Sequence, residues 1–507
     1  MSGLYQITVA EARGYVAVSA DIDQLAVVMG CTSAGSGLSS FYLSDTAAHA
    51  GVGYGDAVDT LCQIINQNQP DGSATRRPAA IYTLPVVTTA TYGTVDSTGK
   101  TGTSAVTMDA ASPPRGTYDA YIRVINGGTI GDAGITFVWS LDGGRNESQV
   151  TALSTAVGYT ITEGNVEFAF GTGTLVTGDI VRCRTVAPAP DASGVTAACA
   201  ALAAASLQFG VLVCDFDLTA ALAAAISAGL TTLNTAGKRP LCLVRTRLPD
   251  YGTSETEAAW FADCASEFAV AAFSDSRMAC AAIYGLLTDS FSTRQYLRSG
   301  LAQLAADVVR VPRSQWPDCP SDRKMANFTL VNSSGVTVGH DEGPRGAATG
   351  LSNDTLGNRF VCVQRLADAS RLEDVFTTVP WVMYSADERI RNIPTRRVCN
   401  AIERVAVTAG TSLMGSKVGY MPAVGATSAY LTDGGRRLVH GVIFDALSRE
   451  FRDDIQNPDA AALDTGLVQV QQNITVSGGN LLAISVTLAP VVWGYLQTLN
   501  ITLAVQQ

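Results

Sequence analysis

At 507 residues, with 47% hydrophobic and 16% charged side chains, the chain is long enough for two to four domains around a sizeable core. Its 34 basic and 45 acidic residues give a net charge of -11, and no basic run carries interleaved aromatics, which argues against nucleic-acid binding. The 11 cysteines form no CxxC pair, and with only His49, His340 and His440 beside them no zinc spacing exists, so no metal and no cofactor is expected.

From the N-terminus, Met1 to Tyr5 lacks the basic-then-apolar layout of a secretory signal. Tyr5, Ile7 and Val9 alternate with Gln6 and Thr8, the period of a strand with one buried face. Residues 25–29 read as a buried strand, ended by Gly30. Gly55-Asp56 then precedes Ala57, Val58, Leu61, Ile64 and Ile65, spaced along one helical face. Residues 80–84 supply another strand.

Between 93 and 186 the composition turns to Thr, Gly, Val and Asp, with strand-like runs at 121–125, 135–141, 166–170 and 180–185 separated by glycine turns. This reads as an inserted all-β domain. Within it Gly99-Lys100-Thr101 resembles the end of a phosphate loop, yet Thr94 stands where that motif needs glycine and no helix follows.

Residues 193–214 carry no charge, but an Ala-rich first part and a β-rich second part indicate a helix followed by a buried strand rather than a membrane span. Strands at 209–215, 241–245 and 278–284 alternate with helices near 218–233, 255–272 and 293–309, the pattern of an open parallel sheet. Asp215, Asp217 and Arg245 fall where the carboxyl ends of such strands would carry an active site, although Asp217 also fits a helix N-cap. An α/β enzyme using these three residues is therefore one reading. No nucleophile elbow, HExxH or EF-hand pattern supports it.

Residues 312–358 form a polar excursion, followed by strands at 360–364 and 375–383 and helices at 395–408 and 434–451. Cys319 lies in a polar loop and Cys399 follows Arg396-Arg397, whose charge favours a thiolate. These two cysteines are candidates for a disulfide between subunits, against the alternative that all thiols stay reduced. Strands from 467 onward end in Leu499, Ile501, Leu503 and Val505, alternating with polar residues. Strand pattern at both chain ends, with nothing nearby to pair it, suggests strands lent to neighbouring copies.

The expected fold is thus α/β: an open, mostly parallel sheet core (21–92 and 187–374), an inserted all-β domain (93–186), a C-terminal α+β unit (375–483) and extended terminal strand arms (1–20 and 484–507).

This organisation resembles the contractile tail sheath proteins of bacteriophages. The segment Leu25-Ala26-Val27-Val28-Met29-Gly30-Cys31-Thr32-Ser33-Ala34-Gly35 is similar to that family's early strand and glycine turn. Residues 44–55 followed by Asp56-Ala57-Val58 look like its short helix, glycine and second helix, although Gly35-Ser36-Gly37 stands where Gly-Pro is common. The resemblance implies a non-enzymatic virion subunit, assembled in the host cytoplasm as a helical homo-oligomer around a tail tube protein. Baseplate and tail terminator proteins are the further implied partners, with no nucleic acid and no membrane insertion. It also implies terminal arms that add strands to neighbouring sheets, here Tyr5, Ile7 and Val9 at one end and Leu499, Ile501, Leu503 and Val505 at the other. Arg436, Arg437 and Arg449 on the last helix are candidates to face the tube, the alternative being an ordinary solvated face.

Overall fold

Runs such as Ala26–Gly30 and the first four residues of Val211–Asp217 have no polar face, so they are stable only where helices cover both sides of the sheet. The computed structural model describes residues 6–11, 14–19, 22–66, 78–86, 92–111, 113–249, 255, 259–260, 262–264, 275, 277–289, 292–310, 328–330, 360–361, 363–368, 371–376, 393–413, 420–422, 428–451, 468–477, 481–488, 491–492, 495–496 and 499–506. At its centre is a seven-stranded sheet in the order Phe360–Val361, Met278–Ala281, Leu241–Arg245, Val211–Asp217, Ala26–Gly30, Ala79–Thr83, Gly37–Leu38. All neighbours are parallel except the last pair.

Period-two alternation divides the strands between two cores. Val27, Met29, Leu212 and Cys214 pack against the helices Ala192–Ala204 and Ala220–Thr235. Val28, Val211 and Val213 pack on the other face with the helices Asp56–Asn66 and Leu301–Arg310. Asp191 caps the first of these helices, its Oδ1 accepting from Gly194 N–H at 2.7 Å. The uncharged stretch 193–214 is thus a helix and then a strand, as its two halves suggested, and among the described residues no helix is long and apolar enough to cross a membrane.

Two expectations need correcting. The run 278–284 is not one strand: Met278–Ala281 stays in the parallel sheet, while Tyr284–Thr288 enters a separate antiparallel sheet with Gln295–Ser299 and Phe328–Leu330. The stretch 293–309 is that Gln295–Ser299 strand followed by a helix from Leu301, divided at Gly300. A Cβ on Gly300 would lie 2.6 Å from Ile283 Cγ2, so the close approach of the two segments requires glycine.

The inserted region forms a four-stranded and a three-stranded antiparallel sheet that close over Phe137, Phe168, Val166 and Ile122. Tyr296, from outside the insertion, completes that core.

The C-terminal unit is a five-stranded antiparallel sheet in the order Tyr420–Pro422, Ser428–Leu431, Val468–Ser477, Leu481–Leu488, Leu499–Gln506. The helices Ile393–Thr411 and Asp433–Glu450 share its core through Val398, Ile402, Val439, Ile443 and Leu447. The strand Leu481–Leu488, where the C-terminal arm was expected to begin, is internal to this sheet.

Candidate functional site

The first strand of the core, Ala26–Gly30, is flanked by the second, Ala79–Thr83, and by the third, Val211–Asp217. In an open α/β sheet a ligand crevice opens between the first and third strands, outside their carboxyl ends. Here the chain's own ions fill it. Arg245, 2% exposed, donates from Nε to Asp215 Oδ1 at 2.7 Å and from Nη1 to Asp217, and its Nη2 lies 3.8 Å from Asp56 Oδ2. Thr60 Oγ1 donates to the other Asp215 oxygen at 2.6 Å. Above Gly30 the space is closed, since a Cβ there would sit 2.5 Å from Ala57 Cβ.

A second guanidinium extends the network. Arg298 donates from Nε to Asp59 Oδ2 at 2.8 Å, and its Nη2 lies 3.4 Å from Asp56 Oδ1. Its Nη1 reaches the Thr117 carbonyl, and its guanidinium carbon stands 5.3 Å from the Tyr118 ring and 4.9 Å from that of Tyr296. Asp56 in turn accepts from Thr117 N–H at 2.9 Å. Burial pushes the Asp59 carboxyl up to about 8 against the opposing charge of Arg298, with Asp289 and Asp56 adding to the rise.

The predicted trio Asp215, Asp217 and Arg245 therefore comes together in one ion cluster. Asp217 is not the helix cap: the strand runs through it, and Thr219, two residues on, accepts from Leu222 N–H at 3.4 Å. Asp56, Asp59 and Arg298, which complete the cluster, carry no local motif.

The loop at Gly99-Lys100-Thr101 shows the same economy. Thr101 N–H donates to Asp179 Oδ1 at 2.6 Å and Gly102 N–H to Asp179 Oδ2 at 3.1 Å. Burial raises the Asp179 pKa, but these donors and Val176 N–H hold it below the usual carboxylate value. The backbone donors that a phosphate would need are spent on this carboxylate.

Cys399 is fully buried, and burial pushes its thiol up to about 12 although Arg396 pulls the other way. That environment opposes the expected thiolate. Cys319 lies outside the described residues. All nine described cysteines are buried and unbridged.

On the Asp433–Glu450 helix the three candidate arginines do not share a face. Arg436 is buried and donates from Nε to the Val470 carbonyl at 3.1 Å, which joins the helix to the sheet. Arg437 and Arg449 are exposed, and Arg449 Nε donates to the Asp445 carbonyl at 3.0 Å. Leu438, 41% exposed, aligns with Asp445 and Arg449 at helical spacing, so that outer stripe is of mixed charge.

The terminal strands are paired within the chain, contrary to the expectation from sequence. Gln6–Glu11 forms a hairpin with Gly14–Ser19, in which Ile7 stands opposite Val18 and Val9 opposite Val16. Tyr5 lies outside the described residues. At the other end Leu499–Gln506 pairs antiparallel with Leu481–Leu488: Leu499 faces Leu488, Ile501 faces Val486, Leu503 faces Ile484 and Val505 faces Leu482. Val491 also pairs with Leu496 and Val492 with Tyr495, as a separate two-stranded antiparallel sheet in the same register. Among the described residues the outer edge of Leu499–Gln506 has no partner strand.

No protein-family model matches the chain, and no curated protein matches it. Among solved structures, the chain is similar to the baseplate of the anti-feeding prophage, with TM-score 0.34 and 13% identity, over 64% of this chain and 73% of that one. It is similar to a sheath tail protein from Listeria innocua with TM-score 0.45 and 10% identity, over 95% of this chain and 94% of the other. It is also similar to a sheath tail protein from Desulfitobacterium hafniense with TM-score 0.47 and 12% identity, over 95% and 96% of the two chains.

Proposed function

We propose that this chain is the structural subunit of a contractile phage tail sheath. In this reading it polymerises around a tail tube by exchanging terminal strands, and contraction drives the tube through the host envelope. The observation that carries the reading is the C-terminal strand. Leu499–Gln506 is eight residues long, contains no charge and no proline, and forms the unpartnered edge of its sheet among the described residues. A monomeric protein ordinarily blunts such an edge with charge, proline or a bulge.

Exchange is inexpensive here because the strand already has a complete partner in its own chain. If it leaves its own Leu481–Leu488 and takes the same place in a neighbour, the same main-chain bonds form again, each worth on the order of 1 kcal/mol net. Residues 489–498 are the connection that would open. The Gln6–Glu11 and Gly14–Ser19 hairpin, marginal by itself in water, is the second element suited to lodge on another copy. Contraction then repacks rigid cores within a mesh held by main-chain hydrogen bonds, without nucleotide hydrolysis. Tube, baseplate and terminator proteins are the partners of this reading, and Arg437 and Arg449 are the arginines left free to face the tube.

The test is a reversible lock. Thr487 and Asn500 stand opposite each other in the hairpin. In Thr487→Cys/Asn500→Cys, oxidation would tie the strand to its own chain. The oxidised protein should stay monomeric in negative-stain microscopy and the reduced protein should form tubes or rings. Tubes from the fully oxidised protein would sink the exchange reading.

A further inference from the structure

The Ile393–Thr411 helix turns a row of donors inward. Arg396, Asn400 and Arg404 are 7%, 3% and 8% exposed. At four-residue spacing they occupy one sector of the helix about 80° wide. Among the described residues Arg396 Nε, Asn400 Nδ2 and Arg404 Nη1 have no acceptor.

The sector faces the seam between this helix and the amino-terminal end of the parallel sheet. Arg404 Nη2 meets Asp23 Oδ1 at 2.5 Å, in the turn that precedes the first core strand. The adjacent Glu403 pairs with Arg239, just ahead of the strand Leu241–Arg245. Among the described residues, Asp23 is thus engaged by Arg404 and Glu403 by Arg239. Arg396 has no carboxylate partner among the described residues. A guanidinium cannot shed its proton, and burying it without a counter-charge is costly.

We propose that Arg396, Asn400 and Arg404 bind a small oxyanion of the phosphate or sulfate class in this seam. The three groups are donors at the atoms concerned, which excludes a cation. Guanidinium and amide N–H groups presented from successive turns of one helix sector suit a ligand with several acceptor oxygens rather than chloride. Bound there, the anion neutralises Arg396 and fastens the C-terminal unit to the core sheet. This assignment is independent of strand exchange, because the site lies within one subunit.

The experiment is thermal unfolding of the full chain, kept monomeric, in inorganic phosphate against chloride at equal ionic strength and pH. The Tm of the wild type should rise with phosphate concentration, as linkage requires for a ligand of the folded state. Calorimetric titration with phosphate should give a Kd at least tenfold weaker in both Arg396→Met and Asn400→Leu. Arg437→Met, on an exposed arginine, should respond as the wild type does. If Arg396→Met fails to fold, Asn400→Leu decides alone, since it leaves every charge in place. A wild-type Tm that follows ionic strength alone, or an undiminished phosphate response in Asn400→Leu, overturns the assignment.

Discussion

Arg298 and Asp59 are 239 positions apart in sequence, yet Arg298 Nε meets Asp59 Oδ2 at 2.8 Å in a buried seam. The pair joins the Asp56–Asn66 helix to the Gln295–Ser299 strand, and through Thr117 it reaches the inserted β domain. Removing the cation alone leaves Asp56 and Asp59 buried together. Arg298→Met should therefore cost about 3–5 kcal/mol, against 1–3 kcal/mol for Asp59→Asn, which keeps a hydrogen-bonding group of the same size. Urea denaturation of the two variants measures the difference, and equal losses would mean that the guanidinium has no special part.

The same carboxyl gives a pH dependence with a definite sign. Because burial raises Asp59 to about 8, the folded chain holds a proton there that the unfolded chain has released above about pH 4. Stability from this group is thus lost as pH rises toward 8 and is flat above it. His440, lowered by burial, acts in the opposite sense but only below about pH 6.5. Between pH 6.5 and 8 the unfolding free energy should fall by up to about 2 kcal/mol, and Asp59→Asn should abolish that slope. A slope that survives the substitution assigns it to another group.

Gly30 closes the crevice by its lack of a side chain. With the Ala57 Cβ only 2.5 Å from where a Cβ would stand, Gly30→Ala should destabilise by about 1–3 kcal/mol through overpacking. Ala57→Gly in the same chain should recover part of the loss, since the clash is with that methyl group. Additive losses in the double variant would show that the strain lies elsewhere.

The nine described cysteines should be silent to an aqueous thiol reagent. All are buried, and burial chiefly pushes Cys31, Cys183 and Cys199, like Cys399, up to about 12, with neighbouring groups such as Asp56 at Cys31 and Asp119 at Cys183 adding to the rise. With 11 cysteines in the chain, at most Cys319 and Cys362 should react in the native state at pH 8, and all should react on unfolding. Fast modification of Cys399 in the folded protein would contradict its placement in the helix core.

Much of the parallel core was legible because a strand covered on both faces must be apolar where it is covered, and 25–29, 209–214 and 241–244 are. The inserted β domain announced itself through glycine turns between short alternating runs. What escaped was set by distance or by ambiguity. An apolar run such as 278–284 has no period to mark where the chain changes sheets, and the helix pattern after 293 hid the strand ending at Ser299. Asp215 and Arg245 could be found from the strand ends, but Asp56, Asp59 and Arg298 converge only in the fold. Arg436, a candidate from the sequence to face the tube, turns inward to the Val470 carbonyl because its helix rests on the Val468–Ser477 strand.

The C-terminal strand allows a prediction in which donor and acceptor roles separate. Deleting residues 499–507 removes the edge strand and exposes Leu481–Leu488, so the shortened chain can accept a neighbour's strand but has none to give. Alone it should remain a folded monomer with the helical circular dichroism of the full chain. Mixed below stoichiometry with intact protein, it should cap growing ends, so that mean tube length in negative-stain images falls as its share rises. The edge it exposes still offers a full row of main-chain groups, which is why capping rather than indifference is expected. If the shortened chain assembles into tubes by itself, the strand is a fixed part of each subunit and not the link between them.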